Sequence, residues 1–143
     1  MSRSRGWSLS PHAGGSPIPS ALQADTRRRI LAHAHGQAQF AGRPARIDVR
    51  FRGALCYIDA YCEPDPPSRS TLRSTGETVT EFVARVRAIP MHLCRLRYFA
   101  GHQRWSVAFY TYSHERYEPT MFPSGEPFGT PEEGFEVGAI YLR

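Results

Sequence analysis

Hydrophobic and polar positions alternate most clearly between His92 and Tyr112. From His92 to Phe99, Cys94, Leu96 and Tyr98 alternate with Leu93, Arg95, Arg97 and Phe99. From Arg104 to Tyr112, Trp105, Val107 and Phe109 alternate with Ser106, Ala108, Tyr110 and Tyr112. A period of two in aromatic and branched residues predicts strands, and Ala100-Gly101-His102-Gln103 has the length and polarity of a hairpin loop. Four loop residues set Phe99 opposite Arg104, Tyr98 opposite Trp105, Leu96 opposite Val107 and Cys94 opposite Phe109. One face of this hairpin is then apolar and the other carries Arg95, Arg97, Arg104, Tyr110 and Tyr112.

A second hairpin is predicted over Arg46 to Cys62. Ile47, Val49 and Phe51, then Cys56, Ile58 and Ala60, alternate with Arg46, Asp48, Arg50, Arg52, Tyr57, Asp59 and Tyr61. A two-residue turn at Arg52-Gly53 sets Arg46 opposite Asp59, whereas one at Gly53-Ala54 sets Asp48 there. Opposed like charges are unfavourable, which favours the Arg52-Gly53 turn. Tyr117 to Phe122 reads as a fifth strand, at an edge because of Pro119. Between Pro64 and about Gly76 a polar loop is expected.

Helical spacing appears three times. Ser20 with Gln23 forms a capping box ahead of Leu22, Ile30, Leu31, Ala34 and Ala38, and Gly36 or Gly42 ends that helix. Thr78 with Glu81 opens a second helix through Phe82, Val83 and Val86, closed by Pro90. Thr130-Pro131-Glu132-Glu133 opens a third, with Phe135, Ala139, Ile140 and Leu142 as its stripe. Two hairpins, an edge strand and these helices predict an α+β domain over residues 20–143. Its mostly antiparallel sheet of about five strands is packed on one face by two to three helices. Residues 1–19, basic and rich in Ser, Pro and Gly, read as a disordered tail.

Charge changes this picture in one respect. All 18 basic residues are arginine and the net charge is +5. Lysine and asparagine are absent, and both have AA-starting codons. A GC-rich genome accounts for that, so the arginine content alone does not indicate phosphate binding. Its distribution is uneven: residues 1–52 hold nine Arg against Asp25 and Asp48, while residues 113–143 hold two Arg against six Glu. Such asymmetry marks either a basic binding surface or two halves that neutralise each other. Three cysteines are too few for a disulfide framework, and no apolar run has the length of a membrane span. A cytoplasmic protein is expected.

Several strings (RIDVRFRG, YIDAYCEP, HLCRLRYF, RWSVAFYTYSHERYEP and GTPEEGF) span most of residues 40–143. Through them the chain resembles a family of small uncharacterised bacterial proteins of unknown function. The resemblance implies a single bacterial domain and brings no activity, cofactor or site.

Candidate chemistry concentrates on the polar face of the sheet. With the hairpins side by side, Arg46, Arg50, Arg52, Arg95, Arg97 and Arg104 share a face with Tyr57, Tyr61, Phe99, Tyr110 and Tyr112. Guanidinium groups for phosphates, interleaved with rings on which bases stack, suit single-stranded nucleic acid. The bland reading is a face whose arginines pair with the C-terminal glutamates. A zinc site from Cys56, Cys62, His92 and Cys94, all expected on the apolar face, is disfavoured. Cys56 and Cys62 lie about 20 Å apart on one strand. No metal or cofactor is expected. The expected role is non-enzymatic binding of nucleic acid or another acidic partner. The alternatives are a protein–protein interaction module and an enzyme using Asp59 or the His92/Cys94 pair; the turn residues His114 and Glu115, with Glu118, are weaker acid–base candidates.

Overall fold

The computed structural model describes residues 13–36 and 44–142. One antiparallel sheet runs through them in simple meander order: β1 (Pro44–Arg52), β2 (Leu55–Cys62), β3 (Met91–Phe99), β4 (Arg104–Thr111) and β5 (Arg116–Thr120). The α-helices of the described residues are α1 (Ser20–Gly36), α2 (Arg69–Thr75), α3 (Val79–Arg87) and α4 (Pro131–Gly138). This is the α+β arrangement that the alternation predicts.

The central hairpin has the register read from its loop length, with Phe99, Tyr98, Leu96 and Cys94 opposite Arg104, Trp105, Val107 and Phe109. Its loop is a 3-10 turn over Ala100–His102, closed by Gln103 at φ 48°. The apolar face that results needs a cover. Helix α4 packs on β3 and β4, and α1 packs on α4 and β1. Phe135 from α4 and Ile30 from α1 meet Ile58, Leu93 and Leu96 of the sheet in a core where all five are fully buried.

Local chemistry fixes where α4 begins. Thr130 accepts from the Glu133 main-chain N–H, the Glu133 side chain returns the bond, and Pro131 opens the helix, a cap worth about 1 kcal/mol. Bidentate bonds from Arg29 to Glu132 (2.9 and 2.7 Å) and a His33–Glu136 contact at 2.7 Å tie α1 to α4. Burial alone would raise the Glu132 carboxyl, but Arg29 outweighs it and holds the group below the usual range. The Thr78–Glu81 capping box opens α3 as read, although neither α2 nor α3 has a buried residue.

Five expectations need correction. The first hairpin turns at Gly53-Ala54, with Gly53 at φ 58°, so Arg52 faces Leu55 and Asp48 faces Asp59. Helix α2 occupies part of the expected loop, because Ser68 caps it by accepting from Thr71 and Gly76 stops it in the left-handed conformation. Ser20 lies inside α1, while Gln23 donates through its main chain to Pro19 and through its amide to Ile18. The fifth strand starts one residue earlier than read and stops at Thr120. Ile140 is 52% exposed, since the chain tightens to a 3-10 turn over Ala139–Leu142 and the helical stripe loses its phase.

Helix α1 ends at Gly36; Ala38 and Gly42 lie outside the described residues, as does the expected tail up to residue 12. Residues 13–19 run across the ends of β2 and β3. Ser16 donates to the Tyr98 carbonyl (2.8 Å), Ile18 donates to the Gly53 carbonyl (3.1 Å), and the Ile18 side chain is buried. No helix among the described residues is long and apolar enough to cross a membrane.

Candidate nucleic-acid interface

With α1 and α4 on the core face, the other face of the sheet is left to side chains that alternate out of the core. On it Arg46, Arg50, Arg52 and Arg104 are exposed, while Tyr57, Tyr61, Arg95, Arg97 and Tyr110 are half-buried. Cross-strand register brings them into rows. Arg50 faces Tyr57, which faces Arg95; Asp48 faces Asp59, which faces His92; Tyr110 faces Tyr117.

Arg46, Arg50 and Arg95 each lie over a tyrosine ring, and Arg50 is also paired with Asp48 and Asp59. Arg46 stacks on Tyr61 at 4.1 Å, Arg50 on Tyr57 at 5.3 Å and Arg95 on Tyr117 at 5.2 Å, while the Tyr57 and Tyr117 rings are 5.6 Å apart. Such contacts contribute roughly 0.5–1 kcal/mol each at exposed sites, and Arg46 and Arg95, which make no ion pair among the described residues, keep guanidinium N–H groups to offer an anion. Arg104 lies over Phe128 at 4.6 Å, and Phe99, expected on this surface, is buried against the same ring. Arg97 donates to the Gly14 carbonyl at 2.8 Å, and burial together with neighbouring Arg95 pushes its pKa down. Tyr112 stands past the end of β4, where its hydroxyl accepts from the His92 N–H at 2.7 Å and its ring meets Tyr110 at 4.8 Å.

Three of the C-terminal glutamates are paired away from these arginines. Glu132 pairs with Arg29, Glu136 with His33, and Glu118 with His114 and Arg116. His114 on the turn and Glu118 of β5 therefore hold each other, and the His114 hydrogen bond lowers the Glu118 pKa.

The centre of the face is a group that sequence reasoning divided between two places. A bulge between Ile58 and Asp59 in the β2–β3 pairing leaves Leu93 as an extra residue on β3. Leu93 and Cys94 are consequently both buried, and His92 turns to the open face instead of the core face expected for it. Gly138 makes room for this: a Cβ there would meet the Leu93 carbonyl carbon at 2.6 Å. His92 Nδ1 lies 2.9 Å from Asp59 Oδ1, and Arg50 donates to Asp59 Oδ2 at 3.0 Å and reaches Asp48 at 3.4 Å. Two carboxylates can oppose each other here because a guanidinium bridges them and an imidazole caps one. Desolvation would lower the Arg50 pKa, yet the Asp59 charge keeps it raised.

The His92/Cys94 pair is thereby excluded as a nucleophilic site, since the two point to opposite faces. Burial pushes the Cys56 thiol up to about 12 and Cys94 well above its ordinary value, the Cys94 shift reinforced by Cys56 and Asp59. Cys56 and Cys94 belong to the core, and Cys62 is half-buried at the end of β2. Among the described residues no cluster of three or more His, Cys, Asp or Glu is arranged to hold a metal ion. Tyr117 is the site residue that the alternation missed. Pairing of Tyr110 with Tyr117 places it at the middle of the face, within 5.0 Å of Tyr110.

Fold and face together define a single-sheet α+β protein with a basic and aromatic sheet surface that no helix of the described residues covers. Comparisons with protein families, curated proteins and solved structures find no match.

Proposed function

We propose that this chain binds single-stranded nucleic acid on the open face of its sheet, in the cytoplasm. The observation that carries this reading is the stack Arg50–Tyr57–Tyr117–Arg95, two rings between two guanidiniums, on the face opposite helices α1 and α4. Cations for phosphates and rings for bases, spread over neighbouring strands, are the two ingredients of sequence-tolerant strand binding. Free cysteines, two of them buried, suit a reducing compartment.

A second reading, a protein partner, is favoured by one feature. A groove of about 270 Å³ lined by Cys62, Val86, Ile89, Met91 and Tyr112 is largely apolar, and Ile89 is 53% exposed at its rim. Salt separates the two. Anisotropy of labelled random DNA and RNA strands is expected to report micromolar binding at low salt. The log–log salt slope should be about −0.7 for each phosphate contacted. No binding at low salt would sink the nucleic-acid reading; a flat slope would point to the groove.

A further inference from the structure

Asp59 is a carboxylate with 2% exposure on the face of the sheet that the helices leave open. Burying a charge is costly unless it is paired and hydrogen-bonded. Here one oxygen takes Arg50 and the other takes the His92 ring. An ionised carboxylate only accepts, so the neutral ring carries its proton on Nδ1 and its basic lone pair on Nε2. Nε2 has no hydrogen-bond partner among the described residues, and the side chain is 32% exposed. The ring is held by Asp59 and by Tyr110 at 4.8 Å, and the main chain that carries it donates to the Tyr112 hydroxyl. An imidazole oriented through Nδ1, with its other nitrogen facing out, is the arrangement of a general base.

What such a base acts on follows from its surroundings. The nearest cysteine, Cys94, is on the core side with its thiol pushed far up, so the face supplies no activated thiol. A proton-transfer site of this kind needs a substrate that brings its own nucleophile. RNA does so in its 2′-hydroxyl, and Arg95 lies in the cross-strand row next to that of His92, on the same face, where it offsets phosphate charge.

We propose that His92, positioned by Asp59, is the catalytic base of an RNA-cleaving site on this face. The inference rests on the binding reading above and extends it from binding to chemistry. His92 Nε2 takes the proton of a ribose 2′-hydroxyl. The 2′-oxygen attacks the adjacent phosphorus, the bond from phosphorus to the 5′-oxygen breaks, and that oxygen recovers a proton from the imidazolium through water. The products are a 2′,3′-cyclic phosphate end and a 5′-hydroxyl end, and His92 returns to its starting state.

The test uses the full chain and one labelled strand sequence in three forms: RNA, 2′-O-methyl RNA and DNA. RNA is expected to be cut to 2′,3′-cyclic phosphate ends, with the other two bound and left intact. His92→Gln should slow cleavage by about a hundredfold or more while changing RNA affinity only a few-fold. Asp59 is a positioning residue and has its own signature. The groups facing His92 are Asp59 from β2, Arg50 from β1, Tyr110 and Tyr112 from β4 and the following turn, and Tyr117 from β5. Burial and the Asp59 charge push the Tyr117 phenol up, and Arg50 stays charged. Asp59→Asn removes the charge that favours the imidazolium, so the rising limb of the pH–rate profile should move to lower pH. If Asp59→Asn does not fold, His92→Gln decides the matter. RNA that binds and stays whole overturns the inference alone, as does cleavage that persists in His92→Gln; failure of all three strands to bind overturns the binding reading with it.

Discussion

Phe135→Ala is expected to lower the free energy of unfolding by about 3–5 kcal/mol, a loss read from urea melts followed by circular dichroism. Phe135 has no exposed surface and stands between α1 and the sheet. Its ring meets His33 of α1 at 6.0 Å and edge-on, so truncation opens a cavity at the junction of both helices and β3. Net stabilities of small domains are only about 5–15 kcal/mol. The variant therefore sits near the limit of folding, and a loss below about 1 kcal/mol would mean that α4 is not seated on the sheet as described.

The second large effect concerns binding. Arg52→Ala combined with Arg95→Ala is expected to weaken single-strand binding by about a hundredfold at low salt. Hydrogen bonds to charged groups contribute about 1.5–3 kcal/mol each, and about 1.4 kcal/mol is a tenfold change. These two arginines are chosen because neither is held in an ion pair among the described residues, unlike Arg50. Arg97 is avoided because it also anchors the Gly14 carbonyl. Stability should change little, as surface substitutions usually stay within about 0.5 kcal/mol. Loss of affinity without loss of stability, together with a shallower salt slope, is the expected combination. Unchanged affinity would move the ligand off this face.

How far these features were legible in the chain depends on the range of the interactions that fix them. The β3–β4 register was legible because a four-residue loop and strict alternation determine it locally. The cap at Thr130 was legible for the same reason. The β1–β2 register was not. Weighing Asp48 against Asp59 as a pair ignores the third and fourth partners, and Arg50 together with His92 from the neighbouring strand reverses the sign of that contact. The bulge at Leu93 was hidden because period-two reading has no place for an extra residue. Its traces in sequence are two successive apolar residues, Leu93 and Cys94, and a glycine, Gly138, far along the chain that gives them room. Missing the bulge put His92 on the wrong face and so separated it from Asp59. The arginines and tyrosines of the face were legible as a set. Their pairing into stacks was not, since Tyr117 enters only through the β4–β5 register. Helix α2 went unseen because seven residues with no buried side chain leave no apolar stripe; only Ser68 and Gly76 mark its ends.

The most direct test is to follow the arginine Nε–Hε signals in a ¹⁵N-correlated spectrum as a short single strand is added. Two basic surfaces compete: the open sheet face, and the Arg27–Arg29 run on α1, where Arg27 donates to the Val49 carbonyl and Arg29 is held by Glu132. The signals of Arg46, Arg52 and Arg95 are expected to move together and saturate at one stoichiometry, with Arg29 unmoved. Shifts confined to Arg27, Arg28 and Arg29, with the sheet arginines still, would contradict the account.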